Sequence, residues 1–214
     1  MPTAAVVLAG CGYLDGSEIR ESVLALLALD RAGVTVSCFA PDIAQYNVVD
    51  HLAQKPTMET RNVLVEAARL ARSQVQPLSA LDPAQFDMLV CPGGFGVAKN
   101  LSDLAFGGST VLPAFAEVLR AFHDARKPIC AICIAPAVVV AALGCGKVTI
   151  GHDAGTAAGI VGNGGQHDDQ PVTGFTVDPE HRLVTTPAYM IHDACIADVS
   201  TGIDGAVRAA VGLV

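Results

Sequence analysis

Short apolar runs alternate with helix-length amphipathic stretches along the whole chain, and this alternation leaves few architectures open. Repeated strand–helix units bury strands on both faces, which calls for a parallel sheet covered by helices on each side. The first strand is expected at Ala4 to Ala9. It is followed by a loop carrying Gly10, Gly12 and Gly16, then a helix from about Ser17 to Ala32 with Ile19, Val23, Leu26 and Leu27 on one stripe. Gly33 stops that helix. The second strand spans Val34 to Ala40, and a polar stretch from Asp42 to Thr57 leads into a helix near Met58 to Arg72. Phe86 to Cys91 forms a third strand, Leu112 to Arg126 a helix, and Pro128 to Ile132 a fourth strand that runs straight into the helix after Cys133. Val148 to Ile150, a short helix at Thr156 to Val161, a β pair of Val172 to Val177 with Leu183 to Thr186, and a helix from Met190 onward complete the pattern. The expected fold is a flavodoxin-like open parallel sheet with helices on both faces.

A chain of 214 residues, 51% apolar and 16% charged, is long enough for one extensive core, so residues 1–214 read as a single domain. A net charge of -8 and the absence of any Lys/Arg run exclude nucleic acid and anionic membranes as partners. No apolar run reaches the roughly 20 residues a membrane helix needs. The N-terminus lacks the basic region of a signal peptide, so a cytoplasmic location is expected. Seven cysteines without paired spacing, apart from Cys130-x-x-Cys133, offer no disulfide framework.

Ligands of an open parallel sheet collect at the carboxyl ends of its strands, where helix N-termini converge. Three loops belong to that edge: Cys11 to Glu18, Pro92 to Asn100, and Cys133 to Pro136. In Ile129-Cys130-Ala131-Ile132-Cys133-Ile134-Ala135-Pro136 a buried strand meets a helix with no turn residue between, which sets Cys133 on a tight junction like a nucleophile elbow. The dipole of that helix favours the reactive thiolate. A buried structural cysteine is the alternative. A thioredoxin-like dithiol fits poorly because Cys130 lies inside a strand, and no second ligand pair suits zinc.

Asp15-Gly16-Ser17-Glu18 opens the first helix. One reading is a cap in which Asp15 accepts helix N–H groups and Glu18 reaches back; the other sets Glu18 beside the sulfur as a proton shuttle, with the first strand next to the cysteine-bearing one. The glycines of Pro92-Gly93-Gly94-Phe95-Gly96 allow a backbone oxyanion hole, with the Ile134 amide as partner. His152 is the candidate orienting base. His51, His123, His167 and His181 fall in polar, solvated segments, and His192-Asp193 reads as a helix-start cap.

Together these residues resemble the PfpI-type, class I glutamine-amidotransferase-like superfamily, which includes the Parkinson-disease-associated glyoxalase/deglycase; within it the likeness is greatest to the ElbB branch. It is carried by Ser17-Glu18-Ile19, Glu59-Thr60-Arg61-Asn62-Val63-Leu64, Pro92 to Gly96 with Lys99-Asn100-Leu101, Cys133 to Pro136, and Thr185-Thr186-Pro187-Ala188-Tyr189-Met190. The resemblance implies a homodimer and a site of Cys133 with Glu18 hydrogen-bonded to its sulfur and His152 as third member. It further implies oxyanion and substrate-binding positions at Gly93, Gly94, Ile134, Asn100 and Pro187. The implied activity is a cofactor-free, metal-free glyoxalase that converts small dicarbonyls such as glyoxal and methylglyoxal to 2-hydroxy acids, with a link to isoprenoid biosynthesis. The alternative is a non-catalytic redox sensor with an oxidisable Cys133. The superfamily's glutaminases need a His-x-Glu pair, which neither His152-Asp153-Ala154 nor His192-Asp193-Ala194 supplies.

Overall fold

The computed structural model describes residues 1–214. A seven-stranded sheet is formed by β1 (Thr3–Val7), β2 (Thr35–Ala40), β3 (Val75–Pro77), β4 (Met88–Cys91), β5 (Ile129–Ile132), β6 (Thr176–Asp178) and β7 (Leu183–Thr186). The order is β6-β7-β5-β4-β1-β2-β3, parallel throughout except for the β6–β7 pair. The helices are α1 (Ile19–Arg31), α2 (Val63–Leu70), α3 (Phe95–Lys99), α4 (Pro113–Asp124), α5 (Ala135–Leu143), α6 (Ala154–Gly162) and α7 (Ile196–Val211). This is the flavodoxin-like α/β architecture that the alternation predicts.

The two-residue period of a strand divides the interior in two. Ala4 and Val6 of β1 face a core shared with Ala25, Leu29, Val63 and Ile203, so α1, α2 and α7 cover that side. Ala5 and Val7 face the other core, with Phe115, Leu119, Val138 and Ile160 of α4, α5 and α6. Each fully buried Leu or Phe there contributes about 1.5–3 kcal/mol through the area it removes from water. No helix is long and apolar enough to cross a membrane.

The structure corrects several expectations. β4 lies between β1 and β5, so the first strand does not adjoin the cysteine-bearing one. α2 starts at Val63, not near Met58, because the Asn62 side chain caps it by accepting the Val65 N–H at 3.1 Å. α7 starts at Ile196, and the segment from Pro187 makes a 3₁₀ turn over Ala188–Met190 instead. Lys147–Val148 pairs with Gln166–His167 outside the main sheet. The edge strand β3, which ends in Pro77, and the Val49–Asp50/Lys55–Pro56 hairpin are too short to leave a period in the sequence.

Candidate active site

β5 passes into α5 through one residue. Cys133 sits at φ 63°, in the left-handed region where a non-glycine residue stores about 1–3 kcal/mol of strain. Its N–H donates to the Thr186 carbonyl of β7 at 2.9 Å, and Pro136 fixes the first turn of α5. The residue is 6% exposed, and the backbone N–H groups of Gly94 and Ile134 donate to its sulfur. The elbow therefore aims the thiol at the carboxyl edge of the sheet while two amides hold it there.

A carboxyl lies against that thiol, and it belongs to Glu21. The side chain is fully buried; Oε2 accepts the Gly93 N–H at 3.1 Å, Oε1 accepts the Tyr189 N–H at 3.1 Å, and the carboxyl and the thiol share a hydrogen bond. Glu21 leaves α1 and reaches Cys133, at the end of β5, past the turn that follows β4. It can do so because residue 93 is glycine: a Cβ there would lie 2.4 Å from the Cys133 Cβ and 2.6 Å from Glu21 Oε2.

Burial, then the neighbouring Glu18 charge, push the Glu21 carboxyl up to about 8. Burial and the negative charge of Glu21 raise the Cys133 thiol well above its usual value, against the opposing pull of the Gly94 and Ile134 amides. Two anions do not coexist in this space, so the pair carries at most one negative charge. When Glu21 holds the proton, its repulsion is gone and its O–H donates to the thiolate. The dipole-lowered thiol expected from the elbow alone is thus replaced by a hydrogen-bonded thiol–carboxyl pair in which each group holds its proton more tightly than usual.

The sulfur opens onto a cavity of about 780 Å³. Glu18, Arg20, Asp153 and His192 contribute the charged or titratable part of its lining; Ile19, Phe95, Ile134 and Met190 contribute apolar side chains. Glu18 caps α1, accepting the Glu21 N–H at 2.6 Å, and burial raises its carboxyl above the usual value. Arg20 donates to the Tyr189 hydroxyl at 3.1 Å, and Asp153 caps α6 through the Thr156 N–H at 2.7 Å. No cluster of three or more His, Cys, Asp or Glu side chains is placed to hold a metal ion.

The model of the DJ-1/PfpI family matches residues 11–185, a span that includes the elbow, Glu21 and the glycine crossing. The chain belongs to the DJ-1/PfpI family. A human relative, glutamine amidotransferase-like class 1 domain-containing protein 3, mitochondrial, is 42% identical over 216 residues, covering 95% of this chain and 80% of that protein. A rat relative, ES1 protein homolog, mitochondrial, is 42% identical over 198 residues, covering 87% of this chain and 74% of its own. Among solved structures, an Ehrlichia chaffeensis isoprenoid biosynthesis protein with an amidotransferase-like domain is 44% identical and superposes with a TM-score of 0.95 over 100% of this chain and 99% of that one.

Within this DJ-1/PfpI member the expected site residues separate. Cys133, Glu18, Gly94 and Ile134 line one cavity, but Glu18 does not hold the sulfur; Glu21, unremarked in the sequence, does. Its signal was its position three residues after the cap, one helical turn further in. Gly93 is no free oxyanion donor, since its N–H is taken by Glu21 and its carbonyl by the Glu18 N–H. Asn100 is a buried clamp: Nδ2 donates to the Ala9 and Asp15 carbonyls at 3.0 Å each, and Oδ1 accepts the Tyr46 N–H at 2.9 Å. Pro187 is buried behind Tyr189 and stays out of the cavity. His152 points away: its side chain is 59% exposed and pairs with the equally open Asp169. His192 lines the cavity instead of capping α7, whose cap position is Cys195. Asp15 caps no helix; it accepts the Val49 N–H at 2.8 Å.

Proposed function

We propose that this protein is a cofactor-independent glyoxalase that converts 1,2-dicarbonyls to 2-hydroxy acids through the Cys133 thiolate. The reading rests on one observation: a buried carboxyl, Glu21, is hydrogen-bonded to an elbow thiol at the floor of a cavity that a second carboxyl, Glu18, also lines. In this scheme Glu21 retains the proton, donates it in a hydrogen bond to sulfur and so supports the thiolate. The thiolate adds to the aldehyde carbon, and the oxygen becomes a hydroxyl by taking a proton from solvent; the Gly94 and Ile134 amides, released from the sulfur as its charge passes into the new bond, stabilise the passing negative charge on that oxygen. Glu18 removes the hydrogen from that carbon as a proton, and the electron pair moves to form an enediolate. Return of the proton to the neighbouring carbon, with the hydroxyl proton of the sulfur-bearing carbon passing to the enolate oxygen, gives a thioester of the 2-hydroxy acid. Water then cleaves the carbon–sulfur bond, releasing the acid and restoring the thiol. The aldehyde carbon is oxidised and its neighbour reduced, so water is the only co-reactant.

Purified protein given methylglyoxal should form lactate without glutathione; Cys133→Ala should abolish this and Glu18→Gln should lower kcat by about 10²–10⁴-fold. Unchanged turnover in either variant refutes the scheme. A second reading draws on the same amides and carboxyl, which suit the oxygens of an oxidised sulfur. Peroxide treatment followed by intact mass should then add oxygen at Cys133, and addition elsewhere alone counts against it.

The same proposal includes a homodimer. Val23 and Leu27 lie one turn apart on α1 and are 49% and 38% exposed, a pair suited to a second copy. Light scattering should give twice the chain mass, and half of it for Val23→Glu. A reducing compartment such as the cytoplasm would keep the thiol free. The Ehrlichia protein's description adds an isoprenoid context, which unchanged isoprenoid levels in a deletion strain would remove.

A further inference from the structure

The cavity is larger than the dicarbonyls named above would fill. Methylglyoxal occupies on the order of 150 Å³, taking roughly five water-sized atoms at ~30 Å³ each. The cavity measures about 780 Å³, inside the ~300–1,000 Å³ range of sites that enclose drug-sized ligands. A small substrate would leave most of the wall wet.

That wall is apolar where it meets the reacting atom. Ile134 carries its own hydrophobic side chain beside its sulfur-facing amide, and Phe95 follows the sulfur-facing amide of Gly94, so each of the two donors has an apolar side chain next to it in the cavity. Met190 and Ile19 extend the surface. Phe95 and Ile19 remain 46% and 48% exposed, although their backbones are fixed: the Phe95 N–H donates to the Tyr13 carbonyl at 2.8 Å, and Ile19 opens α1. Aromatic and branched side chains held open beside a nucleophile are surface that a ligand would cover. Arg20 donates to the Tyr189 hydroxyl and Asp153 accepts the Thr156 N–H, so each charged group of the lining is anchored by a protein partner.

We infer that the electrophile taken by Cys133 carries an apolar body of aryl or branched-alkyl size next to its reacting carbonyl, seated on Ile19, Phe95, Ile134 and Met190. This deepens the glyoxalase reading and rests on it for the chemistry, while the shape preference belongs to the cavity alone. The first measurement is kcat/KM along a series from methylglyoxal through longer alkyl ketoaldehydes to phenylglyoxal. It should rise about fourfold for each methylene buried, and the phenylglyoxal-to-methylglyoxal ratio should fall at least tenfold in Phe95→Ala. A flat or falling series with methylglyoxal still turned over overturns the inference and leaves the glyoxalase reading standing. The second measurement needs no turnover: N-phenylmaleimide should alkylate Cys133 at least tenfold faster than N-methylmaleimide, after correction for their rates with free cysteine. If that preference holds while no ketoaldehyde is consumed, the glyoxalase reading fails and the shape inference stands. Equal corrected rates, with Phe95→Ala indistinguishable from the parent, overturn it.

Discussion

The inner wall of the cavity and its outer rim are built on different principles. At the wall, backbone does the positioning: the Gly94 and Ile134 amides hold the sulfur, while the Gly93 and Tyr189 amides hold the Glu21 carboxyl. At the rim, side chains bind one another: Arg20 to Tyr189, Asp153 to its own helix, with His192 exposed between solvent and cavity. Backbone donors from packed strands and helices cannot rotate out of place, so the wall is preorganised in a way the rim is not. Reactivity belongs to the wall and the rim is free to vary with substrate.

The contrast is broken most severely at Gly93. Gly93→Ala puts a methyl within 2.4 Å of the Cys133 Cβ and 2.6 Å of Glu21 Oε2, so one of the pair must move. Turnover should fall by 10²-fold or more, as expected for a displacement of about 1 Å at a reacting centre, with about 1–3 kcal/mol lost in denaturant unfolding. Parent-like activity would show that the pair is not the reactive unit.

A smaller effect sharpens the same contrast. The Glu21 carboxyl is held near 8 when folded and titrates in the ordinary carboxylate range when unfolded. The folded state binds the extra proton, so this stability is fully present below the unfolded value and is lost as pH rises toward about 8. The unfolding free energy should therefore decline between about pH 5 and pH 8, by at most roughly 1.4 kcal/mol per unit, and Glu21→Gln should flatten that slope. An identical slope in the variant would mean that Glu21 is ionised throughout. Outside the cavity the same experiments should register little: His152→Ala, which removes an exposed contact with Asp169, should shift stability by less than about 1 kcal/mol and leave kcat/KM within twofold. A tenfold loss would return His152 to the site.

Much of this organisation could be read from residues alone. The alternation announced the parallel sheet, and the lack of any turn residue between Ile132 and Ile134 announced the elbow, because local chain chemistry decides both. Strand order is not local: nothing in β1, β4 or β5 records which two are neighbours, so the expectation that β1 adjoins the cysteine-bearing strand fails, and of the two readings of Glu18 the structure shows the cap. Glu21 looked like an ordinary first-turn acid because its burial depends on α1 lying over a glycine 72 residues away. The positions of His152, outside the cavity, and of His192, in its lining, are hidden for the same reason: each follows an element whose end, not whose existence, decides where the ring points.

The glycine crossing also bears on how the chain matures. The tuned thiol requires residues 21, 93 and 133 to meet, which draws together the first helix and the ends of two strands far apart along the chain. Such contacts of long sequence separation form late in folding. A chain still emerging or partly assembled therefore carries Cys133 as an ordinary thiol, and its distinctive chemistry switches on only when the last of these segments docks, making thiol reactivity a direct gauge of completed assembly.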